Sequence, residues 1–146
     1  MKPFLRIDNE QLYYNVILVE SYIPVLFTCK NDKDELFICV CCTDNNTGRK
    51  WLITKTDPQA VIAMLKNEIT MRDVFLKDTS FRASVKSDQR GLHIEYNNSD
   101  WLKNSEFLPQ KDMYIDAEPG EYDEEINYYQ TLCTQEAGDQ DNDRSL

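Results

Sequence analysis

Between Pro24 and Phe75 short apolar runs alternate with clusters of turn-forming residues, at a spacing that leaves the chain little choice of fold. Val25-Leu26-Phe27-Thr28-Cys29 is rich in β-branched and aromatic residues, and Pro24 stands at its start, where a missing N–H does least harm. Asn31-Asp32-Lys33-Asp34 then has the local hydrogen-bonding chemistry of a tight turn. Glu35 to Thr43 is expected to be the longest and most apolar strand and is predicted to lie centrally in a sheet. Asp44 to Arg49 supplies a second turn, with Gly48 for a positive φ, and Lys50 to Lys55 returns as the next strand. Connections this short require antiparallel pairing, so the stretch is a meander.

A helix follows it. Asp57 caps the free N–H groups, Pro58 suits the first helical position, and Val61, Ile62, Met64 and Leu65 form a core-facing stripe. Thr70 opens a second short helix, with Asp73 placed for a capping box and Met71 and Phe75 as core residues. Upstream, Leu12 to Val19 is a near-continuous apolar strand, buried on both faces or covered by a partner, with Asn15 marking a bulge or turn. Downstream, Phe81, Ala83 and Val85 alternate with Arg82, Ser84 and Lys86. Leu92, Ile94 and Tyr96 alternate with His93 and Glu95 after a turn at Ser87 to Gly91. That is a hairpin, with His93 pointing away from the core. Trp101-Leu102 and Phe107-Leu108 tuck a polar loop onto the domain, and Met113-Tyr114-Ile115 reads as a short last strand. The expected fold is α+β: an antiparallel sheet of about five strands, meander plus hairpin, with one or two helices packed on one face.

Charge divides the chain. The net charge is -10, yet residues 1–110 carry 14 basic against 15 acidic residues, while 111–146 carry Lys111 and Arg144 against 11 acidic residues. A nearly neutral domain of residues 1–110 is therefore expected to bear an acidic segment of 111–146. Within that segment Ile126, Tyr129, Leu132 and Cys133 give helical spacing over 123–133, and the remainder reads as a disordered end. An acidic surface disfavours direct contact with nucleic acid or an anionic membrane and favours a basic protein partner. No run reaches the roughly 18 apolar residues that span a bilayer, and the N-terminus lacks a signal-peptide core. A cytoplasmic protein is expected.

Catalytic and metal chemistry find little support. The 5 cysteines are Cys29, Cys39, Cys41, Cys42 and Cys133, an odd number for a disulfide framework, and most fall in strands where a thiol packs as a small hydrophobe. On a strand Cys39 and Cys41 face one way and Cys42 the other, which is not the paired spacing of a structural zinc site. His93 is the only histidine, the 4 glycines form no phosphate loop, and no Ser or Cys stands in a nucleophile elbow. The acidic residues form no calcium-loop pattern. The expectation is a protein that is not an enzyme and holds no metal or cofactor.

The runs P-V-L-F-T-C-K-N-D-K-D-E-L-F (Pro24–Phe37), W-L-I (Trp51–Ile53) and A-V-I-A-M-L-K-N-E-I-T-M-R-D-V-F (Ala60–Phe75) resemble an uncharacterised family of short bacterial and phage-encoded domains. The resemblance covers roughly residues 12–76 and implies a strand-turn-strand-helix order without implying any chemistry.

The candidate site is the acidic segment itself. Tyr114, Tyr122, Tyr128 and Tyr129 are interleaved with Asp112, Asp116, Glu118, Glu121, Asp123, Glu124 and Glu125. Tyrosines offer contact area with a polar tip, and carboxylates complement Arg and Lys on a partner. The opposing possibility is a solubilising tail whose tyrosines dock on their own domain. The function expected is a non-catalytic binding protein or inhibitor that blocks a basic, nucleic-acid-binding site, in the manner of a phage anti-defence (anti-CRISPR-like) protein or an immunity protein. The alternative is a structural accessory domain that oligomerises through a sheet edge.

Overall fold

The computed structural model describes residues 2–77, 79–86, 91–96 and 108–144. Among these, the strands are β1 (Pro3–Ile7), β2 (Glu10–Ser21), β3 (Ile23–Lys30), β4 (Leu36–Asn45), β5 (Gly48–Lys55), β6 (Phe81–Lys86) and β7 (Leu92–Tyr96). The helices are α1 (Pro58–Leu65), α2 (Met71–Phe75) and α3 (Asp123–Arg144). Each strand pairs antiparallel with the one before it, in the order β1 to β7, and the sheet curls into a nearly closed barrel.

The expected five-stranded α+β sheet with helices on one face is therefore wrong: the described chain is mostly sheet, with seven strands and a few small helices. Strand twist accumulates across a long meander and curls it, and only then do side chains from distant strands meet inside. Phe4 on β1 lies 5.4 Å, ring centre to ring centre, from Trp51 on β5, and 4.8 Å from Phe27 on β3. Leu12, Phe27, Cys29, Cys39, Trp51, Ile53 and Ala83 fill this interior. The opposite faces of the same strands, Leu18, Leu26, Leu36, Ile38 and Leu52, pack outward against Val61, Met64 and Leu65 of α1, Val74 and Phe75 of α2, and Tyr129 of α3. Both faces of the central strands are thus buried, which explains their near-continuous apolarity.

Several local signals hold. β4 is the middle strand of the sheet, although β2 is the longest at 12 residues. Asp57 accepts a hydrogen bond from the Ala60 N–H at 2.8 Å, and Thr70 and Asp73 form a reciprocal capping box. Gly48 adopts φ 146°. The β2–β3 register shifts between Tyr14 and Val16, so Asn15 sits in a bulge. Cys39 and Cys41 face the interior and Cys42 the outer wall.

The strand expected over Leu12–Val19 is part of β2, which pairs with β1 in a hairpin that turns at Asp8 and Asn9, with Asp8 at φ 54°. Other expectations fail. Residues 113–115 form no strand. Helix α3 continues past Cys133 to Arg144. Leu108 is buried against the outer wall, whereas Trp101, Leu102, Phe107 and the turn at 87–90 lie outside the described residues. No helix among the described residues is long and apolar enough to cross a membrane.

Candidate functional site

The acidic segment is fastened to the barrel at a series of points. The Arg72 guanidinium donates to the Pro109 carbonyl at 3.2 Å, and the Met71 N–H donates to the Met113 carbonyl at 2.8 Å. Asn67 closes a two-way clamp on Ala117, donating from Nδ2 to its carbonyl and accepting its N–H at Oδ1, both at 3.2 Å. Some of the acid in this stretch answers a backbone need. Asp112 and Asp116 adopt φ 64° and 60°, angles at which Asp and Asn are enriched because their short polar side chains tolerate the left-handed region. Glu121 caps a turn by accepting the Glu118 N–H at 3.1 Å. Asp123, Glu124 and Glu125 form the first turn of α3, where the helix dipole favours negative charge.

The tyrosines turn inward. Tyr122 is buried, and its hydroxyl donates to the Leu18 carbonyl on β2 at 3.0 Å. Tyr129 is fully buried and lies 2.6 Å from the Thr28 hydroxyl on β3 and 3.2 Å from Asn15 Oδ1. Thr28 also donates to Asn15 Oδ1 and accepts the Val16 N–H, while Asn15 Nδ2 donates to the half-buried Tyr128 hydroxyl at 3.0 Å. The bulge that projects Asn15 from β2 thereby opens a polar socket in an otherwise apolar wall, and α3 plugs it. Burial pushes the Tyr122 and Tyr129 phenols above their ordinary range, which keeps both neutral.

The eleven residues expected to bind a partner thus divide. Tyr122, Tyr128 and Tyr129 hold the segment to its own barrel, and Glu125 is half-buried. Asp112, Tyr114, Asp116, Glu118, Glu121, Asp123 and Glu124 remain exposed and follow one another along the surface. The recorded ion pairs among the described residues, Lys30–Asp34, Arg49–Asp44 and Lys55–Glu35, lie on other elements. Sequence reasoning missed Asn15 and Thr28 as the receptors for the tyrosines. Asn15 did stand out as the one polar break in an apolar strand, but the tyrosines it receives lie more than a hundred residues away.

The cysteines are all free thiols, buried or half-buried. Cys29 and Cys39 are buried with their sulfurs 3.7 Å apart, and burial holds the Cys39 thiol well above its ordinary range. The Cys42 thiol is pushed up to about 12, again chiefly by burial. His93 is exposed on β7 opposite Ser84. No group of three His, Cys, Asp or Glu side chains among the described residues is arranged to hold a metal ion. No known family, curated protein or solved structure matches the chain.

Proposed function

We propose that this protein is a non-catalytic binding protein, which sets a row of carboxylates against a basic surface of a partner protein and blocks a site that otherwise holds nucleic-acid phosphates. One observation carries the reading: the carboxylates from Asp112 to Glu124 lie exposed on a segment that buried tyrosines and the Asn67 clamp hold in place. Fixing the segment beforehand removes part of the ordering cost that a free acidic tail would meet on binding. Charge complementarity of this kind acts first on the association rate. A phage-encoded antagonist of a defence nuclease and an immunity protein against a basic toxin are two forms of the same reading.

The test neutralises charge without disturbing the anchors. A variant with Asp112→Asn, Asp116→Asn, Glu118→Gln and Glu121→Gln keeps every buried tyrosine. The captured partner is expected to associate at least tenfold more slowly with this variant at low salt and to regain its nucleic-acid binding. An unchanged association rate would overturn the proposal.

A second reading rests on the barrel being only nearly closed. The sheet ladder runs from β1 to β7 without pairing those two strands to each other, and an outer edge of this kind can pair with another chain. Light scattering over a concentration series tests it, since a monomer at all concentrations excludes oligomerisation through this edge.

A further inference from the structure

The end of the barrel bounded by the β1–β2 and β3–β4 turns holds a pocket of about 430 Å³. Its floor is apolar, formed by Ile7, Leu12, Phe37 and Phe81, all members of the interior cluster or packed on it. Three carboxylates, Asp8, Glu10 and Asp32, and one ammonium, Lys33, also line it. The rim is built rather than incidental. Asn31 is buried between the two turns, and its Nδ2 donates to Glu10 and, at 2.9 Å, to Glu35. Its Oδ1 accepts the Lys33 and Glu35 N–H groups at 3.0 and 2.9 Å. A neutral amide therefore positions Glu10 without cancelling its charge.

We propose that this barrel mouth binds an organic cation: a primary or quaternary ammonium group carried on a small apolar or aromatic body. The apolar floor takes the body, as the mouths of β-barrels commonly do. The excess of carboxylates over ammonium on the lining attracts the positive head, and two phenylalanines add the attraction of aromatic rings for a cation. The same charge balance repels an anion of the same shape. The site is distant in sequence from the acidic segment and stands or falls independently of the partner-binding reading.

The experiment titrates the ¹⁵N-labelled protein with 2-phenylethylammonium, with benzyltrimethylammonium, with neutral 2-phenylethanol and with 3-phenylpropanoate. Both cations are expected to shift amides of 7–12, 31–37 and 81 saturably, and to bind at least tenfold more tightly than the alcohol or the carboxylate. Asp8→Asn with Asp32→Asn, which keeps the polar side-chain oxygens, is expected to weaken cation binding about tenfold and leave the alcohol unchanged. Phe81→Leu is expected to weaken both cations while preserving the fold. Equal binding of all four probes, shifts confined to other surfaces, or no saturable binding of either cation would overturn the proposal. So would cation binding that the double Asp variant leaves unaltered.

Discussion

Tyr22 holds its backbone at φ 54° in the tight turn between β2 and β3, and the residue is 106% exposed. The left-handed region costs an L-residue roughly 1–2 kcal/mol, and a ring surrounded by solvent recovers none of it through packing. Tyr22→Gly is therefore expected to leave stability unchanged or raise it by up to about 1 kcal/mol in urea unfolding. A clear loss would mean that the ring braces the hairpin. Tyr129 is the converse case. Tyr129→Phe strips a hydroxyl from a buried network and is expected to cost about 1–3 kcal/mol, because Thr28 and Asn15 lose a partner they cannot replace with water. The pH dependence follows from the direction of the shift. Burial raises the Tyr129 phenol, so its contribution is fully present below its ordinary value of 10.0 and is lost as pH rises from there towards the folded value. The loss of stability followed by circular dichroism should steepen above that pH, and Tyr129→Phe should flatten that part of the slope. The raised Tyr14 and Tyr122 contribute over the same range, while Cys39, Cys41 and Cys42, whose ordinary value is 9.0, begin to contribute at lower pH. The caps at Asp57 and Thr70 were legible in the sequence because donor and acceptor lie three residues apart. The Asn15–Thr28–Tyr129 socket was not, because nothing local to any one of them names the other two.

Helix α3 is better described as part of the barrel's outer wall than as a tail. Its Tyr129, with Tyr122 just before it, covers Leu18 and Leu26 together with α1. Deleting residues 111–146 is thus expected to expose that wall, seen as increased binding of a hydrophobic dye and loss of a sharp unfolding transition. A deletion that unfolds as sharply as the parent would return the segment to the status of an appendage. The cysteine-bearing strands give a second element-scale expectation. Cys29 and Cys39 lie inside the barrel, and Cys42 faces the helices with its thiol pushed up to about 12. At pH 8 Cys29 and Cys39 should react with a thiol reagent only as fast as the protein unfolds, read by mass spectrometry after timed quenching. Strand positions from β3 to β7 were readable from alternation and turn chemistry. β1 was not, because Phe4-Leu5-Arg6-Ile7 is too short to show the alternation that marks a strand. The acidic residues were legible as a charged segment but not as a site. Their number concealed two jobs, turning the backbone at Asp112 and Asp116 and opening a helix at Asp123 to Glu125.

At the scale of the molecule, barrel closure left no local trace, since the contact between Phe4 and Trp51 depends on twist summed over five strands. The wiring is nonetheless simple, because every sheet ladder joins strands that are neighbours in sequence. A chain wired this way can add one strand at a time as it leaves the ribosome, and residue-by-residue emergence takes roughly 5–20 residues per second. The socket at Asn15 and Thr28 is therefore finished long before Tyr129 arrives to fill it. During that interval the nascent barrel carries an uncovered greasy flank, and a translation product that stops short of Tyr122 carries it permanently. Ribosome-arrested chains with Tyr129 still in the exit tunnel should be digested by protease faster than chains that have released it; equal rates would remove the idea. Helix α3 would then separate molecules made at least as far as Tyr129 from shorter fragments by whether the flank is sealed.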